Sequence, residues 1–384
     1  MAEGRGRLDQ VDALRGIIMV VMALDHVRDH LSAAHFDPTD LTLTTPALFF
    51  TRWVTHFCAP TFAFLAGTAA FLWSRRHTRR ELARFLLARG LWLIVLELTV
   101  VRLAWCFNLA YTREVLLGVL WAIGAGMITL AALVALPRAV IATLALTTIA
   151  GHDLLDGIRP ERFGGHGPLA WGVAGWLWIL LHVQVPPVLY PLVPWIAVVP
   201  AGYVFGPLLL RPPTERRRRL LGLGTALIAA FVVLRLTNLY GDPSPWTPGR
   251  TPLATVMSFL DTTKYPPSLL YLLMTLGPAI AALPLLEHLH GGVGRVLVTF
   301  GRVPLFFYVV HLYVIHALTV GLAAAGGCDP RAFLTVFPFF PKDFGYGLPV
   351  VYGVWLAVVA ALYPACAWFA GVKARTRTWW ITYL

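Results

Sequence analysis

The sequence predicts an all-α membrane protein of about ten transmembrane helices plus a short interfacial helix, forming a single domain over residues 1–384. Three observations carry this. The chain is 58% hydrophobic and only 13% charged, with mean hydropathy +0.70, too apolar for a single water-facing surface. Its apolar residues come in runs of roughly 20, the length that crosses about 30 Å of hydrocarbon. The arginines behind the net charge of +12 cluster in short loops between those runs. That is the positive-inside pattern rather than a nucleic-acid surface.

The first span begins near Leu14. Eight apolar residues, 17–24, are followed at once by Asp25, His26, Arg28, Asp29 and His30. At about 1.5 Å per residue Asp25 lies roughly 16 Å in, near the middle of the hydrocarbon. Charge there costs about 2.5–3.5 kcal/mol per residue, so these groups must face protein or trapped water. Asp9 and Asp12 spoil the basic region of a signal peptide, so the segment is read as a retained span.

A polar connector (residues 32–46) leads to a second span, residues 47–73, which ends in Arg75, Arg76, Arg79, Arg80 and Arg84 and so places that loop in the cytoplasm. The third span, residues 85–107, carries Glu97 and Arg102, and the fourth, residues 115–136, is almost wholly apolar. Pro137 and Arg138 make a tight turn before the fifth, residues 139–155. The Trp-rich segment 169–183 is predicted to be interfacial, because a crossing there would put the arginines at 216–219 outside. Further spans follow at residues 191–210, 220–238, 269–286, 296–320 and 348–371. Lys373, Arg375 and Arg377 then lie inside, and both termini are cytoplasmic. The long outer connectors 240–268 and 326–347 are rich in Pro, Gly and aromatic residues, a length that often serves as a lid. Cys58, Cys106, Cys328 and Cys366 lie far apart, so no disulfide framework or zinc knuckle is indicated.

Asp25 and Asp29 are four apart, as are His26 and His30, so each pair shares a helix face. Such a histidine, oriented by a carboxylate, suits general-base or nucleophilic chemistry. The alternative is a solvated helix end. His26 and His30 also have metal-ligand spacing, but no glutamate follows the first histidine and no metal is expected. His56, Glu97, His311 and His316 are further intramembrane polar candidates, although a structural hydrogen bond between helices explains a lone histidine of this kind more readily than a site does. Lys264, in the run 261–267 before a span, suits an anionic or hydroxyl-rich acceptor, and a simple helix-entry loop explains the run equally well. Arg15, Arg75, Arg76 and Arg302 suit the phosphates of a donor such as coenzyme A, although topology and lipid contact explain most such arginines.

Asp12-Ala-Leu-Arg15-Gly16 and Met22-Ala-Leu-Asp25-His26-Val-Arg28-Asp29 are followed by Tyr190-Pro-Leu-Val-Pro-Trp195, Thr262-Thr-Lys264-Tyr-Pro-Pro-Ser268, Gly301-Arg-Val-Pro-Leu-Phe-Phe-Tyr308 and Phe344-Gly-Tyr-Gly-Leu-Pro349. On this set the chain resembles the bacterial branch of the heparan-alpha-glucosaminide N-acetyltransferase family over nearly its whole length. The resemblance implies an enzyme of the bacterial inner membrane that moves an acetyl or other acyl group from cytoplasmic acyl-CoA to an extracytoplasmic saccharide or lipid-linked glycan. Acetyl-CoA would be a co-substrate, with no permanently bound cofactor and no nucleic-acid partner, and a homodimer is carried over from the animal enzyme. That enzyme uses an Asn late in the first span and a His in the following loop. Counted from Arg15-Gly16, His26 takes the Asn position, and His35 is the nearest candidate for the loop histidine. A different class, a proton-coupled transporter or lipid flippase, would use Asp25, His26, Glu97 and His311 as a path, but no inverted repeat is visible. A purely structural or sensory membrane protein would tolerate neutralisation of the same charges.

Overall fold

A computed structural model describes residues 8–111, 115–165 and 170–376. Among them the structure is helical, with no β-strand. The helices are α1 Asp9–Leu31, α2 Pro46–Thr55, α3 Cys58–Ser74, α4 Arg79–Leu96, α5 Arg102–Cys106, α6 Val119–Leu133, α7 Arg138–Gly151 and α8 Gly172–His182. They continue as α9 Trp195–Phe205, α10 Pro213–Thr237, α11 Pro252–Leu260, α12 Leu269–Leu286, α13 Gly291–Arg302, α14 Pro304–Ala325 and α15 Leu348–Arg375. Six stretches are long and apolar enough to cross a membrane: Pro46–Ser74, Arg138–Leu155, Pro213–Thr237, Leu269–Leu286, Pro304–Ala325 and Leu348–Arg375. The windows in the second, third and last of these are only 22% buried, so their apolar side chains face outward, as lipid demands. This is an integral membrane protein.

The charged helix α1 lies at the centre, packed against α2, α3, α12, α13, α14 and α15. Glycines let it approach α13 closely: a Cβ on Gly16 would sit 1.9 Å from the Leu297 carbonyl oxygen, and one on Gly301 would sit 1.8 Å from that of Asp12. Membrane helices pack through such small residues because lipid offers no hydrophobic drive between them. Trp355 on α15 fastens α1 from the other side, donating from Nε1 to the Val20 carbonyl at 2.8 Å.

Several predicted spans are interrupted, each for a local reason. The second breaks at His56–Phe57 into α2 and α3. Pro60 has no N–H for the carbonyl four residues back, and the His56 carbonyl instead accepts from the Tyr271 hydroxyl at 2.7 Å. The third begins earlier than predicted, at a capping box of Thr78 and Glu81. It then passes through a π-helical turn, Glu97–Val101, into α5. The predicted continuous span 296–320 is corrected to two helices, α13 and α14, because Pro304 disfavours helical geometry at Val303, where φ is −130° and ψ is 49°. The connector 240–268, expected as a loop, contains α11, which starts at Pro252 behind the Thr251 side-chain cap. Helix α8 has 11 residues, about 16 Å, roughly half the hydrocarbon thickness; Leu169, which begins the predicted interfacial segment, and Arg377 lie outside the described residues.

One end of the bundle is rich in arginine. There Arg216 pairs with Glu287 at 2.8 Å, Gln10 reaches the same carboxylate, and Arg302 pairs with Asp9 at 3.4 Å. At the opposite end the residues after α1 meet the connector before α15: the Tyr346 amide donates to the Leu31 carbonyl and the Ala33 amide to that of Tyr346.

Candidate functional site

The last three turns of α1 carry the polar core. Asp25 accepts from Arg52 Nη1 at 2.9 and 2.8 Å, from the Thr55 hydroxyl at 2.7 Å, and pairs with Arg28 at 2.8 Å. Arg28 also grips Asp29 at 2.5 Å. Asp25 is therefore held by two guanidinium groups and a hydroxyl, the set that keeps a buried carboxylate ionised. Its lone pairs are occupied, and among the described residues neither carboxylate hydrogen-bonds the His26 ring, contrary to the expectation that one would orient it.

His311 on α14 takes that role. Its Nδ1 lies 2.9 Å from the Phe307 carbonyl, which can only accept, so Nδ1 carries the proton. In a neutral ring Nε2 is then the acceptor. His26 Nδ1, 2.7 Å away, must donate to it. This leaves His26 Nε2 with an unshared lone pair, the arrangement that a base or nucleophile requires. The two rings lie nearly coplanar, edge to edge, with centroids 4.9 Å apart, and Trp105 packs edge-on against His26 at 5.0 Å.

Two cavities converge on this histidine. One, of about 360 Å³, reaches the arginine-rich end at Arg15, Arg89, Arg302 and Lys373 and has apolar walls that include Met19, Phe62 and Leu93. The other, of about 500 Å³, opens at the opposite end among Asp29, His35, Glu97, Gln184 and Lys342. Asp25, His26, Val119, Tyr190, Lys264 and Tyr308 line both. Arg15 and His26 are eleven residues apart on α1, about 16 Å of helix.

The other residues singled out in the sequence divide by place. Arg15 and Arg302 line the first cavity, with Arg15 donating to Asp12 at 2.9 Å and to the Gly301 carbonyl at 3.1 Å. Arg75 and Arg76 are exposed in the turn after α3 and line neither cavity. Lys264 lies at the junction, over the Tyr265 ring at 5.0 Å. His35 lines the second cavity and bonds the Phe344 carbonyl at 2.8 Å. His30 lines neither cavity: its Nδ1 donates to the His26 carbonyl at 2.9 Å and its ring stacks on Trp105. His56 is buried at the α2–α3 break against Tyr271, away from both cavities. His316 is held between the carbonyls of Ala104 and Phe333. Glu97 caps α6 by accepting from the Leu120 amide at 2.7 Å while lining the second cavity.

Sequence reasoning passed over Arg52, Thr55, Arg89, Tyr190, Tyr308 and Lys373. Arg52 had a usable signal: a lone cation inside an apolar segment needs a buried anion, and Asp25 was the obvious one. A family model described as heparan-alpha-glucosaminide N-acetyltransferase, catalytic, matches residues 7–239. The chain belongs to this family. The match includes Asp25, His26, Arg52 and Glu97, and it ends before Lys264 and His311. No curated protein matches the sequence. Membership of the heparan-alpha-glucosaminide N-acetyltransferase family indicates a membrane acyltransferase, and the residues beyond 239 complete the same site in space.

Proposed function

We propose that the protein transfers an acetyl or other acyl group from acyl-CoA on the cytoplasmic side of a bacterial inner membrane to an amine or hydroxyl of an extracytoplasmic saccharide or lipid-linked glycan. The observation that carries the reading is the meeting of two cavities from opposite ends at His26, whose Nε2 is the ring nitrogen not engaged by His311. The arginine-rich end is assigned to the cytoplasm by the positive-inside rule. There Arg15, Arg89, Arg302 and Lys373 offer charge for the donor's phosphates, and the apolar throat suits its pantetheine arm.

The thioester then lies against His26, with the acceptor coming from the other cavity. As the acceptor nitrogen or oxygen attacks the thioester carbon, His26 Nε2 takes its proton. The carbon–sulfur bond breaks, and the departing thiolate recovers that proton as free coenzyme A. In the two-step route Nε2 itself attacks and displaces the coenzyme A thiolate, carries the acyl group, and yields it to the acceptor, whose proton passes to the thiolate as the imidazole is released. Both routes use the same nitrogen. Lys264 and the hydroxyls of Tyr190 and Tyr308 line the junction where negative charge develops on the carbonyl oxygen.

The test is binding and turnover of radiolabelled acetyl-CoA by the purified protein beside His26→Ala and Asp25→Asn. Saturable binding with turnover lost in a folded His26→Ala variant supports the reading. A well-folded wild type that neither binds nor cleaves the donor overturns it and returns priority to proton-coupled transport.

A further inference from the structure

Away from the α1 site, four polar side chains crowd together where α7 ends and α8 ends. A short 3-10 turn, His152–Leu155, prolongs α7, and His182 is the last residue of α8. One donor atom each from His152, Asp156 and His182 falls in a group spanning no more than 4.8 Å. His182 Nε2 lies 2.9 Å from Asp156 Oδ1. Asp153 Oδ1 lies 3.3 Å from His152 Nε2, while its other oxygen accepts from the Leu269 amide at 3.1 Å.

These groups are sheltered from solvent. The side chains of His152, His182 and Asp153 are 1%, 2% and 4% exposed. Nδ1 of His182 has no hydrogen-bond partner, and the His152 ring and Asp153 Oδ1 meet only at 3.3 Å without good hydrogen-bond geometry, the ring's other contact being the Pro267 backbone. Buried polar atoms left poorly matched cost about 1–3 kcal/mol each, so this cluster calls for a missing partner. That partner must accept lone pairs from imidazole and carboxylate together, and it must offset two neighbouring negative charges.

We propose that His152, Asp153, Asp156 and His182 bind one divalent transition-metal ion of the zinc class. Two imidazoles with two carboxylates and no thiolate suit zinc and its first-row neighbours rather than calcium, magnesium or copper(I). Donors about 2.0–2.1 Å from a tetrahedral ion stand roughly 3.3 Å apart, close to the 2.9 and 3.3 Å separations here. His152, Asp156 and His182 already fall within 4.8 Å of one another, and Asp153 adjoins them through His152. Two carboxylates balance the ion's charge, so the site is neutral once filled.

The ion's place gives it a structural role. His182 stands two residues before Gln184, which lines the larger cavity. Asp153 fastens the first amide of α12, five residues after Lys264. A metal here clamps both loops that wall the outer half of the site, whatever enters it. The four ligands are not a local motif, since His182 joins from 26 residues beyond Asp156.

The purified full-length protein is stripped with a chelator, returned to chelator-free buffer, titrated with zinc chloride alone, and followed by elemental analysis and thermal unfolding. The expected result is about one zinc per chain and a rise in melting temperature of about 2–4 °C. His182→Ala and Asp156→Asn lose both effects, while His26→Ala keeps both, which separates this site from the His26 and His30 pair. If His182→Ala fails to fold, Asp156→Asn and the stripped wild type decide. Absence of stoichiometric uptake and of any zinc-dependent shift in the wild type overturns the proposal, as does uptake undiminished in both ligand variants.

Discussion

In the proposed reaction the nitrogen of His26 that reacts is chosen by a residue 285 positions away. His311 fixes the tautomer, so it acts through His26 rather than on substrate. Replacing it with Phe should lower kcat on the order of 10²-fold with little change in KM for acetyl-CoA. His311→Gln, whose amide oxygen can accept the same proton, should recover part of the loss; steady-state kinetics on the two variants decides. Arg52 acts differently. Removing one cation from a buried pair costs about 3–5 kcal/mol, and Arg28 remains to soften the loss at Asp25. Arg52→Gln should therefore destabilise by about 2–3 kcal/mol, read from denaturant midpoints, with Arg52→Gln/Asp25→Asn losing less than the two single effects added. The sequence exposed Asp25 and His26 because ionisable groups interrupt an apolar run. It could not expose His311 as their partner, since nothing local distinguishes a relay histidine from His316, which bonds two backbone carbonyls.

At the scale of elements, proline and charge made much of the architecture readable, while close contacts did not. The α2–α3 break and the α13–α14 break follow from Pro60 and Pro304, visible in the sequence yet overruled there by continuous hydropathy. The α1–α13 contact rests on Gly16 and Gly301, and no periodic pattern marks them as meeting. Gly16→Val should force α1 from α13 because the obstruction is backbone, costing at least about 1–3 kcal/mol and displacing Arg15 from the first cavity. Gly353→Ala, in the body of α15 with open space around the added methyl, should be neutral or stabilising by up to about 1 kcal/mol. Thermal unfolding of both variants in one detergent supplies the comparison. The connector gives a pH effect of opposite sign to the usual carboxylate. Burial, then the nearby charges of Asp37 and Asp242, push Asp261 up to about 6. The folded state thus holds this proton more tightly than the unfolded one, so its contribution makes stability fall as pH rises from about 4 to about 6. Asp261→Asn should raise the melting temperature at pH 7 and leave it nearly unchanged at pH 4.

For the whole molecule the defining property is access from two ends to one histidine. In a Cys328→Ser background, Gln184→Cys should react with a membrane-impermeant thiol reagent only from outside. Ala69→Cys, in the wall of the other cavity, should be shielded by acetyl-CoA added from the cytoplasmic side. Labelling in right-side-out and inverted vesicles reads both, and reactivity from the same side would contradict the assigned orientation. Most of this arrangement lay beyond sequence reading, because the cavities are bounded by residues from α1 to α15 whose only common feature is where the chain brings them.

Two vestibules that share a floor raise a problem of electrical insulation. An energised membrane drives protons inward, and any continuous file of water past His26 would be a leak. At that floor stand Arg28, Arg52 and Lys264 against Asp25 and Asp29, a surplus of positive charge in a low-dielectric setting. Fixed cations of this kind repel hydronium and other small cations. On the proposed reaction, the same cluster that steadies Asp25 would also serve as a resistor, letting an uncharged acyl group change hands while the membrane keeps its voltage.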